Sequence, residues 1–122
     1  LYRESAIGLV TALRDGMNLV AKEYVAAQCG SDPGVLMLSR FAGAAEELKE
    51  ALLVNPHDIN EMAKTLDRAL KMRRPERWAR HHQLMHRVEA GSVTHWRNIF
   101  LRALAAQNSD LAYCSSDNLG AA

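Results

Sequence analysis

The sequence predicts an α/β fold, a short parallel sheet followed by C-terminal helices, and three observations carry that expectation. Three short runs, Ala6 to Val10, Val35 to Leu38 and Ala51 to Val54, are apolar at every position. Strands buried on both faces of a parallel sheet have that pattern, whereas half-exposed strands alternate. Helical patterns separate the runs, as parallel pairing requires. From Asp58 onward only helical periodicity remains.

The first run ends in the polar stretch Thr11 to Gly16, and a helix follows from about Met17 to Gln28. Ser31-Asp32-Pro33-Gly34 is a turn signal that ends this helix and redirects the chain into the second run. Ser39 to Lys49 is rich in glycine and alanine at first and turns helical at Ala44-Ala45-Glu46-Glu47-Leu48. Its small residues let a backbone turn sit close to a neighbouring element or a ligand. The third run stops at Asn55-Pro56. Asp58 with Glu61 three residues later reads as a capping box, and Ile59, Met62, Ala63, Leu66, Ala69 and Leu70 repeat on one helical face. Pro75 suits the first turn of another helix, with Trp78, Met85 and Val88 as its apolar positions and Gly91 as its stop. Val93, Trp96, Phe100, Ala103 and Leu104 form a further stripe, and Asn108 to Ala122 has no periodicity. The expected division is a folded part over 1–106 and a flexible tail over 107–122.

Composition narrows the class. With 122 residues, 48% apolar and 24% charged, the chain has the profile of one folded domain. Fifteen basic side chains against 14 acidic ones leave a net charge of +1, which predicts no bulk attraction to nucleic acid or to a membrane. No stretch approaches the roughly 18 to 20 apolar residues of a membrane span, and Tyr2-Arg3-Glu4 does not open a signal peptide. Cys29 and Cys114 lie far apart without paired spacing, so neither a disulfide framework nor a zinc knuckle is written here. A reducing, cytoplasmic setting is expected. The chain opens on Leu1 rather than methionine, the expected mark of a segment of a longer chain.

The chemistry is expected between Thr11 and Glu23, where a buried strand meets a helix. In open α/β sheets ligands bind beyond the carboxyl ends of strands, and a helix starting there offers unpaired amides and the positive end of its dipole. Such a place is suited to a phosphate or diphosphate. Gly16 removes bulk where a ligand would approach the backbone. Asp15, before the helix, can accept hydrogen bonds from sugar hydroxyls. Glu23, four residues after Leu19 on the same helical face, can accept them from a vicinal diol. Each residue also has a plainer reading: Asp15-Gly16 is a common turn dipeptide, Asp15 or Asn18 can cap the helix, and Glu23 can be a solvated charge beside Lys22. Neither GxGxxG nor a P-loop is present.

The run Leu9-Val10-Thr11, continuing through Arg14-Asp15-Gly16-Met17-Asn18-Leu19-Val20-Ala21-Lys22-Glu23-Tyr24-Val25-Ala26, resembles the UDP-forming trehalose-6-phosphate synthases. The resemblance continues through Asp32-Pro33-Gly34-Val35-Leu36, Ser39-Arg40-Phe41-Ala42-Gly43-Ala44-Ala45 and Ala51-Leu52-Leu53-Val54-Asn55-Pro56, then more loosely to about Ala106. It implies a partial Rossmann-like C-terminal domain, the nucleotide-sugar-binding one, of a two-domain GT-B retaining glycosyltransferase. It implies transfer of glucose from UDP-glucose to glucose 6-phosphate, giving trehalose 6-phosphate and UDP, without a cofactor or metal. By resemblance the amides of Gly16, Met17, Asn18, Leu19 and Val20 face the donor diphosphate. Asp15 contacts the donor glucose as the catalytic candidate, Glu23 holds the ribose, and Ala21 and Lys22 belong to the same helical turn. The acceptor site and the basic pair that grips the diphosphate are implied to come from preceding chain. Ala12, where the family usually has proline, and His57, where it usually has tyrosine, depart from the pattern without removing a ligand contact. The segment alone is expected to be inactive and marginally stable. A related transferase with another acceptor fits the same residues, and homo-oligomerisation is left open.

Other signals are expected to be structural. Five arginines and three histidines crowd Arg73 to Arg87, read as a solvated basic face; the contrasting class is a non-catalytic helical module docking an acidic partner through that face. His82 and His86 have the spacing of a metal pair but lack acidic or cysteine partners nearby. Trp78, Trp96 and Met17 are expected to pack, and Cys29 to be a small buried side chain near a helix end.

Overall fold

The computed structural model describes residues 1–91 together with Asn98, Leu101 and Arg102. The expected stripe through Val93, Trp96, Phe100, Ala103 and Leu104, the tail and Cys114 lie outside the described residues. The chain divides into two compact units, Leu1–Glu89 and Ala90–Ala122, and the elements below belong to the first apart from the last residue of the final helix.

A single 3-10 turn at Tyr2–Glu4 leads into strand β1, Ile7–Val10. Helix α1 (Leu19–Ala27), strand β2 (Val35–Ser39), the short helix α2 (Ala44–Glu47), strand β3 (Leu52–Val54) and helices α3 (Ile59–Leu70) and α4 (Arg74–Ala90) follow. The strands form one parallel sheet in the order β1-β2-β3, with Leu9 opposite Met37 and Leu38 opposite Leu53. The predicted α/β class and all three strands are therefore present. Their full burial is not. Only β2 is buried at every residue; Leu9 of β1 is 51% exposed and Leu53 of β3 is 36% exposed. The reason is position, because in a three-stranded sheet β1 and β3 are edges.

Two apolar layers enclose the sheet. On one face Val10, Leu36 and Leu38 pack with Ala21, Tyr24 and Val25 of α1, Ala44 and Ala45 of α2, and Leu84 of α4. On the other, Met37, Leu52 and Val54 pack with Met62 and Ala69 of α3. Tyr24 fixes α1 to the sheet: its ring lies where a Cβ on Gly8 would be, 2.7 Å from the ring carbons, and its hydroxyl donates to Ser5 O at 3.0 Å. A larger residue at position 8 would push the helix off the strand. Burial raises the Tyr24 pKa to about 12.

Helix α1 starts at Leu19, two residues later than the sequence predicts, because Asn18 sits in the left-handed region (φ 61°) and ends the loop. Helix α3 starts as expected, with the Asp58 carboxylate accepting from Glu61 N at 2.9 Å. The reciprocal half of the expected box is absent. Glu61 reaches instead to Asn55 N and Arg40, at 3.1 and 2.8 Å, and so ties the end of β3 to that of β2. The predicted apolar stripe of α3 is only partly covered, with Ile59 80% and Leu70 68% exposed.

The basic run on α4 is a solvated face only in part: Arg73, Arg74, His82, His86 and Arg87 are exposed, but several of its cations are paired within the fold. Arg77 bonds Asp32 and Pro33 O at 2.6 and 3.0 Å, Arg80 bonds Glu50 O at 2.9 Å, and Arg87 takes both oxygens of Glu50. The arginines bind α4 to the two loops that feed β2 and β3. His81 adds a 3.0 Å contact to Val25 O at the end of α1. Trp78 is half exposed and stacks on His82 with ring centroids 5.2 Å apart, rather than packing in the core.

Candidate functional site at the carboxyl end of the sheet

Parallel strands all end on one side of the sheet, so the loops after β1 and β2 meet there. The structure joins them directly. Asp15 N donates to Phe41 O at 3.4 Å, Gly43 N donates to Asp15 O at 2.8 Å, and Asp15 pairs with Ala42 as an isolated parallel bridge. The close approach expected of the small residues after Ser39 is thus made, against Gly16. A Cβ on Gly43 would lie 2.8 Å from the Gly16 carbonyl carbon and nearer still to its oxygen. Gly16 itself has open space where its Cβ would be.

Within the turn, one carboxylate organises three groups. Asp15 Oδ1 accepts from the amides of Met17 and Asn18, both at 3.2 Å, and Oδ2 accepts from Asn18 Nδ2 at 2.8 Å. Asn18 Oδ1 in turn accepts from Ala21 N at 3.0 Å. The Asn18 side chain, followed by the Met17 amide, holds the Asp15 carboxyl below its ordinary pKa. Of the two capping readings of the sequence, Asn18 is the one that caps α1, and Asp15 instead braces the turn that presents Asn18. Of the first-turn amides of α1, those of Leu19 and Val20 have no hydrogen-bond partner among the described residues. They stand beside the positive end of the helix dipole.

The remaining predicted residues line this edge unequally. Met17 is 61% exposed, not packed as expected, because the turn projects it outward. Leu19 and Val20 are also exposed, and Ala21 is fully buried against the sheet. Lys22 is committed elsewhere: its ammonium lies 2.7 Å from Glu47 at the end of α2. Glu23 is exposed one helical turn beyond Leu19 and forms no ion pair among the described residues. Sequence reasoning missed Gly43 and Glu47 as residues that hold the turn. Lys22 and Glu47 stand 25 residues apart, beyond any local spacing rule.

Two concavities lie away from this edge. One of about 250 Å³ is wholly apolar, lined by Leu9, Met37, Ile59, Met62, Ala63 and Leu66. Another, beside Arg77 and His81, has room for about one water at ≈ 10 Å³. Neither contains an Asp15 to Glu23 residue, and the candidate site is an open ledge. No group of three or more potential metal ligands occurs among the described residues, His82 and His86 included. Cys29 is only partly buried; its Sγ lies 3.1 Å from Ser31 Oγ, and hydrogen bonds from the Ser31 side chain, then from the Ser31 and Asp32 amides, lower its pKa to about 7.

A parallel sheet with helices on both faces, and a capped, amide-presenting turn after its first strand, define a Rossmann-like α/β unit. The family model described as glycosyltransferase family 20 matches residues 1–106, and the chain belongs to that family. It is 58% identical over 104 residues to the trehalose-6-phosphate synthase of Enterobacter sp. strain 638, covering 85% of this chain and 22% of the relative. Among solved structures, an α,α-trehalose-phosphate synthase (UDP-forming) from Burkholderia xenovorans in complex with glucose-6-phosphate matches with a TM-score of 0.82 at 57% identity. That match covers 85% of this chain and 23% of the other. An Escherichia coli structure bound with UDP-2-fluoro glucose gives 0.81 at 55% identity, covering 84% and 23%. The chain therefore spans less than a quarter of the length of these relatives.

Proposed function

We propose that this chain supplies the donor-holding ledge of a UDP-forming α,α-trehalose-phosphate synthase. The reaction moves glucose from UDP-glucose to glucose 6-phosphate with retained configuration. Residues 1–106 form part of its nucleotide-sugar-binding domain, acting in the cytoplasm. The observation that carries this reading is the Asp15 to Val20 turn, fixed by its own carboxylate and leaving the Leu19 and Val20 amides unpaired at a helix start. Family membership and the ligands of the two similar solved structures, a UDP-glucose analogue and glucose 6-phosphate, support it.

Each residue then has a role its geometry suits. Of the amides from Gly16 to Val20, those of Met17 and Asn18 donate to Asp15 Oδ1 and hold the turn in shape, while those of Gly16, Leu19 and Val20 face the diphosphate. Negative charge grows on that group as its bond to glucose breaks, so donors already in place stabilise the transition state without reorganising. Asp15 stays ionised at neutral pH and accepts from a glucose hydroxyl with the one lone pair of Oδ2 that its turn bonds leave free. Glu23 accepts from the ribose diol. Ala21 packs the helix down, and Lys22, held by Glu47, steadies the same turn rather than meeting phosphate. The acceptor site and further cations on the diphosphate are supplied by the rest of the enzyme.

The alternative of a helical module that binds an acidic partner through Arg73 to Arg87 is disfavoured by the pairing of Arg77, Arg80 and Arg87 within the fold. The test is transfer by the full-length enzyme carrying this segment. Release of UDP and formation of trehalose 6-phosphate only when both UDP-glucose and glucose 6-phosphate are present is the expected result. Transfer to a different acceptor would assign a related transferase, and no turnover of UDP-glucose would remove the reading.

A further inference from the structure

We infer that Gly43 and Glu47, at the two ends of α2, form a bracket that positions the Asp15 to Lys22 turn, making both of them positioning residues for donor binding. The inference rests on the donor-ledge reading above and adds residues from a different loop. At one end, the Gly43 amide donates to Asp15 O at 2.8 Å and its missing side chain lets the Gly16 carbonyl settle against it. At the other, Glu47 holds Lys22, one turn into α1, at 2.7 Å. The bracket thus grips the ledge on both sides of the unpaired Leu19 and Val20 amides.

Backbone conformation does not explain the glycine. Gly43 has φ −57° and ψ −33°, an ordinary right-handed conformation that alanine adopts without cost. Contact explains it, because a Cβ there would lie 2.8 Å from the Gly16 carbonyl carbon, and backbone on both sides leaves no flexible side-chain end to move aside. Adding one methyl must therefore separate the loop after β2 from the turn after β1. The displaced groups are the ones proposed to meet the diphosphate.

The test uses the full-length enzyme carrying this segment, with calorimetric binding of UDP and steady-state kinetics for both substrates. Gly43→Ala should raise the KM for UDP-glucose and weaken UDP binding by about tenfold or more, as displacements near 1 Å do at positioned sites. The KM for glucose 6-phosphate should stay within about twofold, a split that general loss of folding would not produce. Glu47→Gln removes an exposed ion pair of little value to stability, so it folds, and should weaken UDP binding by about two- to threefold. Gly30→Ala, at a glycine with open space around it, should change neither. Unchanged UDP affinity in Glu47→Gln, or equal changes in both KM values with Gly43→Ala, would overturn the bracket. Failure of the wild-type enzyme to bind UDP would instead overturn the ledge reading beneath it.

Discussion

In the proposed site Asp15 serves two demands with one carboxylate, holding its own turn and meeting the donor sugar. Its turn bonds to Met17 and Asn18 take both lone pairs of Oδ1 and one of Oδ2, so that Oδ2 alone retains accepting capacity. Those bonds favour the ionised form, so the folded pKa lies below the ordinary 3.8. The resulting stabilisation is complete above that ordinary value and is lost as the pH falls through the lowered one. The stability difference between wild type and Asp15→Asn, followed by urea unfolding, should therefore be constant near neutrality and shrink in acid. A difference that grows in acid would contradict the assignment. Cys29 carries an independent expectation: its thiol should titrate near pH 7 when followed by the rate of alkylation, and Ser31→Ala should move the midpoint upward. An unchanged midpoint would show that Ser31 does not set it.

At the scale of elements, α4 is held by its arginines as well as by its apolar residues, with Leu84 buried and Met85 and Val88 packed against the same core. Arg77→Ala should destabilise the fold by about 1–3 kcal/mol, since it leaves Pro33 O without its partner and Asp32 with only the 4.0 Å approach of Arg74. Arg73→Ala, on an exposed residue, should stay within about 0.5 kcal/mol. Equal effects in urea unfolding would return the run to a solvated face. The sequence showed the strands and the ledge because both are local signals, a continuous apolar run and a turn dipeptide before a helix. It showed that the segment after Ser39 makes a close approach, but not against what. What it hid depends on pairs far apart in sequence: Arg77 with Asp32, Arg87 with Glu50 and Lys22 with Glu47. Balanced composition gave no hint that Arg77, Arg80 and Arg87 are paired within the fold. Met17 and Trp78 misled for the opposite reason, as apolar residues assigned to a core by type whose backbone carries them outward.

For the molecule as a whole, the exposed β1 edge and the apolar groove of Leu9, Ile59, Met62 and Leu66 show that the described unit leaves core-like surface uncovered. The chain on its own should bind a hydrophobic dye and melt with low cooperativity, and a sharp calorimetric transition without dye binding would refute that. No described helix is long and apolar enough to cross a membrane. The central claim is that the Asp15 to Glu23 ledge receives the sugar-nucleotide donor, and steady-state kinetics of the full-length enzyme carrying Glu23→Ala or Asp15→Ala test it most directly. Glu23→Ala should raise the KM for UDP-glucose by about tenfold or more, the loss of charge-assisted hydrogen bonds to the ribose. Asp15→Ala should lower kcat by about a hundredfold or more, since it removes the proposed contact to the reacting sugar and loosens the amides proposed to meet the leaving diphosphate. Wild-type UDP-glucose kinetics in both variants would contradict the assignment.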